Sequence, residues 1–336
     1  MRIPVRQFAV AFSLAAAVLF SGCERSGPPF DETKAVWKNF DGEKALAAIA
    51  EILELGPRPS GSEAIEQSRV HLIEKLQALG WQVQRQSFKK KTSIGEIEFV
   101  NLRARFAPED SEHLWVRPIR VVLCSHYDTK LYRDLVFVGA DDPGSSMGVL
   151  IEAARVLASR PEVAAEVELA FFDGEEAFGP NITPTDGLFG STYYAGQMLS
   201  LKPAQRPRHG ILLDMVGDKD LKIGIASKLP PLNLRELKEA DVDYQDIELR
   251  REALTRQCLE AAKDAGHRGH FGVSSSYITD DHVPLNQVAG IPTIDLIDFD
   301  YDYWHTPSDT LDKLSAESLQ ITGQTTLLLI EKYLME

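Results

Sequence analysis

Apolar residues recur along this chain in two rhythms. Ala45, Ile49, Ile52 and Leu53 share one face of a helix written DGEKALAAIAEILEL. GPRPSGS breaks that helix by its Gly, Pro and Ser content. Ser62 is then placed to cap a second amphipathic helix through Ile65, Ile73, Leu76 and Leu79, which Gly80 stops. Residues 81–106 change to alternation, IEFVNLRARF among them, and predict paired strands. From residue 118 onward strand-like and helix-like stretches take turns. Strands are predicted at 118–125, 166–173, 209–216 and 291–297, and helices at 144–159, 187–199, 252–265 and 315–334. That alternation predicts an α/β fold: one domain, a three-layer αβα sandwich around a mixed, mostly parallel sheet.

Polar residues that break this pattern collect just past the predicted strand ends. Val167, Leu169, Phe171 and Phe172 lead into Gly174, which ends the strand, and then into the adjacent carboxylates Glu175 and Glu176. Open α/β sheets place ligands in the crevice outside those strand ends. Two neighbouring carboxylates beside an apolar strand repel each other and are costly to desolvate. Either they form a solvated acidic turn, or a cation resolves the conflict, one glutamate binding it and the other moving protons. RVVLCSHYD brings His126 and Asp128 to a strand end, FVGADDPG offers Asp141 and Asp142, GILLDMVG offers Asp214, and YDYWHTPSD offers His305. Each alone is a weak signal; five strand ends converging on one sheet edge are a strong one. Imidazole nitrogen and carboxylate oxygen, with no thiolate, suit Zn²⁺ with an open catalytic position.

Charge narrows the partners. The formal charge is −14 at pH 7, which argues against nucleic acid and suits cationic ligands such as a metal or a protonated amine. The only charges in residues 1–22 are Arg2 and Arg6, followed by the short apolar run FAVAFSLAAAVLF. That run is too brief to span a bilayer comfortably and reads as a targeting signal. It ends in FSGC, which resembles a bacterial lipoprotein cleavage box with Cys23 as the lipidated residue, although Phe20 stands where leucine is commoner. The expected organisation is therefore a signal at 1–23, a polar linker at 24–40 and a catalytic domain at 41–336. The expected location is the bacterial cell envelope, lipid-anchored to a membrane. Cys124 sits in an apolar strand and reads as a core residue; an envelope location would permit a disulfide with Cys258.

Two motifs compete with this picture. GSSMG, Gly144 to Gly148, matches the G-x-S-x-G nucleophile pattern and would make Ser146 a serine-hydrolase nucleophile. A nucleophile elbow needs an apolar strand running straight into the turn, and here DDPG intervenes. Asn181-Ile182-Thr183 is a glycosylation sequon that a bacterial-type lipoprotein leaves idle.

The order HYD, GADD, DGEEAFG, LLDMVG, DDHVP, WHT resembles the zinc-dependent exopeptidase fold family, which includes bacterial aminopeptidases. Within it the chain is most similar to the animal-type glutaminyl-peptide cyclotransferases, over roughly residues 40–336. Trp304 before His305, Asp280-Asp281 before His282, and PTDGLFGS after DGEEAF lean that way. The resemblance implies Asp142, Glu176 and His305 as ligands of one zinc. Asp142 is preferred to Asp141 as the fourth residue of the G-A-x-D turn. It also implies Glu175 as general base and acid, and Asp214 and Asp280 as a hydrogen-bonded acidic pair holding the substrate amine. Trp304 and His282 would bind substrate. The expected reaction converts the N-terminal glutamine of peptides or proteins to pyroglutamate with release of ammonia, by a monomer. The aminopeptidase alternative would use a second metal on His126, Asp142 and Asp214, and this chain retains all five ligand positions. Asn181 departs from the pattern, standing where animal cyclases carry a tryptophan. The relatives have a cis peptide after the aspartate ligand. Here residue 143 is proline, and X–Pro lowers the trans preference to roughly 0.5–1 kcal/mol, so a cis Asp142–Pro143 bond is expected.

Overall fold

The computed structural model describes residues 30–107, 113–231 and 242–335. The targeting signal and Cys23 lie outside the described residues. In chain order the elements are α1 (Gly42–Leu53), α2 (Glu63–Ala78), β1 (Trp81–Thr92), β2 (Gly95–Phe106), β3 (Val121–His126), α3 (Ser146–Ala158), α4 (Pro161–Ala164), β4 (Val167–Phe172) and α5 (Phe189–Met198). There follow β5 (His209–Asp214), β6 (Ile223–Lys228), α6 (Tyr244–Asp264), β7 (Phe271–Tyr277), α7 (His282–Gln287), β8 (Thr293–Ile297) and α8 (Ala316–Leu328).

The eight strands form one mixed sheet in the order β1-β2-β4-β3-β5-β8-β6-β7. Strands β4, β3, β5 and β8 run parallel at its centre, with Val121 opposite both Val167 and His209, and Gly210 opposite Thr293. The β1–β2 hairpin joins antiparallel through β4, and β6 pairs antiparallel with β8. The alternation of a strand puts successive side chains on opposite faces, and β3 shows the consequence. Val121 and Leu123 enter the large core that includes residues of α1, α2, α3, α6 and α8, whereas Val122 and Cys124 enter a smaller core shared with α5 and α7. The three layers follow from that split.

Helices α1, α2, α6 and α8 start on a side-chain cap. The Ser62 hydroxyl accepts the Ile65 N–H at 3.1 Å, and the Asp41 carboxylate accepts the N–H groups of Glu43 and Lys44. Three expectations are corrected. Helix α6 starts at Tyr244, well before residue 252, because Asp243 caps it and Ile247 and Arg251 continue its buried face. Strands β6 and β7 and helix α7 were not foreseen; β7, FGVSSSY, is a mostly exposed edge with little apolar pattern. The described end of the supposed linker is part of the fold. Val36, Trp37 and Phe40 are buried, and Glu331 accepts the Val36 and Trp37 N–H groups. Cys124 and Cys258 are both free and buried, so the permitted disulfide is absent.

Candidate active site

The parallel strands β3, β4, β5 and β8 end along one edge, and the turns that leave them carry the polar groups. Gly174 makes the first turn with φ +77°; a Cβ there would meet the Phe99 ring at 2.5 Å. Behind it the Asp128 carboxylate accepts the N–H groups of Gly174, Glu175 and Glu176 at 2.9, 3.1 and 3.3 Å. One side chain thus fixes the path of the whole acidic turn. The second turn, Ala140–Ser145, contains the cis Asp142–Pro143 bond. Asp309 accepts the Asp141 and Asp142 N–H groups at 2.8 and 3.2 Å and also takes the Tyr301 hydroxyl. Gly139, at φ +59°, is required there, since a Cβ would lie 1.9 Å from the Asp142 carbonyl oxygen.

These turns bring the predicted residues together. His305 Nε2 lies 2.9 Å from Glu176 Oε1 and 3.3 Å from Asp142 Oδ2. His126 Nε2 lies 3.2 Å from Asp142 Oδ1 and 3.3 Å from Asp214 Oδ1. Two triads result, Asp142–Glu176–His305 and His126–Asp142–Asp214, with Asp142 shared. Asp142, and not Asp141, enters them; Asp141 Oδ1 accepts the Gly217 N–H. His305 itself stands at φ 55°, a left-handed conformation, as does Met215, which follows Asp214, at φ 46°. Such positions cost of order 1–3 kcal/mol each and persist where the surroundings impose them.

The donor set fits a metal ion. His126 Nε2 and Asp214 Oδ1 are buried without a hydrogen-bond partner, an arrangement costly for a group with nothing to bind. Ligand atoms about 2.0–2.2 Å from a tetrahedral zinc sit roughly 3.3–3.5 Å apart, close to the spacings here. Burial alone would lower the His305 pKa, but Asp142 and Glu176 push it up to about 9. Burial opposes ionisation of Asp142 too, yet His126 and His305 hold it below the usual carboxylate range. Burial raises Glu175 well above that range, with Glu176 adding to the effect and His126 opposing it.

A cavity of about 270 Å³ opens onto this edge. Glu175, Asp214 and Asp280 line it, and Trp304 forms a wall, stacked on His305 at 4.2 Å and 22° between planes and packed on Phe299 at 5.1 Å. Asn181 lines it as well. Two expectations change. His282 does not line the cavity: as the first residue of α7 it is buried and turns towards Asp295, with its Nδ1 3.5 Å away. Asp214 and Asp280 share the cavity without a hydrogen bond between them, since Asp214 Oδ1 and Asp280 Oδ2 have no partner and Asp280 Oδ1 takes the Asp281 N–H. The serine-hydrolase alternative fails on geometry. Ser146 is fully buried in α3, where its hydroxyl bonds to the Pro143 carbonyl and to the Ser125 hydroxyl.

The family model for peptidase family M28 matches residues 101–330. The chain belongs to peptidase family M28. Among members and neighbours, the glutaminyl-peptide cyclotransferase of Bos taurus is 29% identical over 307 residues, covering 84% of this chain and 79% of its own length. The crystal structure of a glutaminyl cyclase from an Acidobacteriales bacterium aligns with a TM-score of 0.70 and 29% identity, over 87% of this chain and 94% of that one. A Zn-dependent exopeptidase from Parabacteroides distasonis aligns with a TM-score of 0.70 and 26% identity, over 87% and 98%. The M28 fold thus places the carboxylate and imidazole groups of this chain on the sheet edge that its strand pattern indicated.

Two contributors were missed by sequence reasoning, and a third, Asp128, was read only as a candidate ligand. Lys130 Nζ, almost fully buried, reaches Glu176 Oε2 at 3.2 Å and the Ala177 carbonyl at 2.9 Å. Asp128 was noticed only as a strand-end acid, and Asp309 not at all. The signal for the first and last was adjacency: they follow HYD and HT in segments already suspected. Groups that orient metal ligands typically matter 10–100-fold. Asp128→Ala is therefore expected to weaken zinc binding or turnover by roughly that factor, measured by competition with a chromogenic chelator.

Proposed function

We propose that this chain is a zinc-dependent glutaminyl-peptide cyclotransferase acting on the N-terminal glutamine of peptides. The observation that carries the reading is the cavity itself. It holds a three-donor cluster, a separate carboxylate (Glu175) and a further acid (Asp280) beneath one tryptophan, in a chain similar to named cyclotransferases over most of its length.

Asp142, Glu176 and His305 would hold the zinc. When bound, it supplies a Lewis acid that polarises the γ-carbonyl of the substrate glutamine. Glu175, outside both donor triads, takes a proton from the α-amine, whose nitrogen forms the new bond to the side-chain carbon. Glu175 then returns that proton to the leaving nitrogen as the carbon–nitrogen bond breaks and ammonia departs. Asp214 and Asp280 face the amine, and Trp304 walls the glutamine side chain and keeps water away. Incubation with a Gln-peptide should give loss of ammonia by mass, whereas a Leu-peptide should stay intact.

The shared Asp142 favours a second reading, a two-metal aminopeptidase, because His126 and Asp214 offer unpartnered donors beside it. Metal content separates the two. One zinc equivalent after dialysis is expected for the cyclase; two, with release of leucine from the Leu-peptide, would establish the peptidase. The protein is further proposed to act as a monomer, anchored in the bacterial envelope by lipid on Cys23. Cys23→Ser should move it from the membrane fraction to the soluble one.

A further inference from the structure

The sheet ends on two edge strands, β1 and β7, and the two are finished differently. An open edge is a row of unpaired N–H and C=O groups, which proteins blunt with charge or proline. On β1 the exposed Arg85, Lys89, Lys90 and Lys91 supply that charge. On β7, FGVSSSY, neither charge nor proline appears. Its inner side pairs with β6, and among the described residues no strand pairs with its outer side. Val273 and Tyr277 are 54% and 57% exposed, and Ser275 and Ser276 between them are exposed too. Gly272 and the three serines carry little bulk, so another backbone can come close.

The position of this edge points to its occupant. Strand β7 runs directly into the cavity wall, where Tyr277, Ile278, Thr279 and Asp280 follow one another. The wall thus continues outward as the strand. Pairing with β6 is regular from Phe271 to Ser274, opposite Ile223 to Ala226, and shifts register only between Ser274 and Tyr277. Irregularities of that kind gather beside active sites and turn the strand locally. At about 3.3 Å per residue, roughly six residues of an extended peptide would cover the edge.

We propose that the outer edge of β7 binds the substrate chain that follows the N-terminal residue, as an added antiparallel strand. The proposal rests on the reading of the substrate as a peptide and extends it from one residue to a segment. With its N-terminus in the cavity, the peptide leaves past Tyr277 and runs back along β7 towards Phe271. Main-chain hydrogen bonds of this kind give affinity whatever the side chains, which are read only at alternate positions. The site then favours long, extended N-termini over dipeptides and selects little sequence beyond the first residue.

Peptide length and backbone methylation test this on the wild-type protein. A dipeptide and an octapeptide that begin with the same Gln-Ala pair should have similar kcat. The octapeptide should have a KM lower by about ten-fold or more, from a few net main-chain hydrogen bonds. Methylating one backbone nitrogen at a time along the octapeptide should raise KM at every second residue, because a strand turns alternate N–H groups towards its neighbour. Docking through side chains alone shows no such period. Hydrogen exchange reads the contact without turnover. On Glu175→Gln, the octapeptide should slow exchange of the amides in 271–277, and the dipeptide should not. Equal KM for the two lengths, no period of two, or unchanged exchange each overturns the proposal. So does a dimer whose β7 is protected before any peptide is added. Protection by the octapeptide, in a protein whose wild type releases no ammonia, would instead sink the cyclase reading alone.

Discussion

Glu175→Gln should keep its zinc and lose about 10²–10⁴-fold in cyclisation rate, the usual range for a positioned acid–base group. The expectation follows from where the side chain stands. Asp128 holds the Glu175 backbone N–H, and the Glu175 carbonyl accepts the Leu188 N–H at 2.9 Å, so the peptide on both sides is fixed independently of the carboxylate. Glutamine preserves shape and polarity and removes only the capacity to take up and return a proton. Glu176→Gln is the matched control. Its Oε1 is 2.9 Å from His305 Nε2 and its Oε2 meets Lys130, so that substitution should weaken the metal and with it the activity. Zinc content and single-turnover ammonia release, measured on both variants, separate the roles. Loss of zinc from Glu175→Gln with retention in Glu176→Gln would mean that the two assignments are exchanged.

The contrast between those neighbours shows what a sequence makes legible. Strand ends are marked by apolar runs that stop at glycine or aspartate, so the edge carrying His126, Asp142, Glu176, Asp214 and His305 could be read before any geometry was known. Local chemistry also spoke for Ser62 as a cap and for proline after Asp142. What stayed hidden was held by distant partners. Asp309 reaches the Asp141 and Asp142 backbone from 168 and 167 residues away, and Asp128 reaches the acidic turn across 46 to 48. Neither distance leaves a periodic trace. His282 was misplaced for a related reason: its sequence neighbour Asp280 lines the cavity, but the start of α7 turns the imidazole inward. Strand β7 was missed because an exposed edge needs no apolar pattern, and Trp37 because a short turn that docks on the core looks like polar linker.

The β2 strand is the sharpest such case, and it carries the second large expectation. Alternation predicted paired strands here, and an alternating strand ordinarily keeps its polar face in water, yet every residue from Phe99 to Phe106 is buried, including two arginines. Glu168 on β4 accounts for them. It accepts Arg103 through Nε at 2.9 Å and Nη2 at 2.8 Å, is contacted by Arg105 Nε, and takes the Tyr194 hydroxyl at 2.8 Å. Burial would raise the Glu168 pKa, but Arg103 and Arg105 outweigh it and bring it down to about 2. A folded-state pKa below the unfolded value of about 4.3 contributes stability that is complete above that value and is lost as pH falls through about 2. Removing the carboxylate at neutral pH leaves two buried guanidinium groups without their counter-charge, which costs about 3–5 kcal/mol. Glu168→Ala should therefore lose about that much unfolding free energy and unfold at a lower denaturant midpoint, and its stability should no longer fall between pH 4 and pH 2 as steeply as that of wild type. Equal midpoints for the two proteins at pH 7 would mean that Arg105 is satisfied by the carbonyls of Leu114 and Arg117, which it also reaches at 2.8 and 2.7 Å, that Arg103 is satisfied by Gln84 at 3.3 Å, and that Glu168 contributes little.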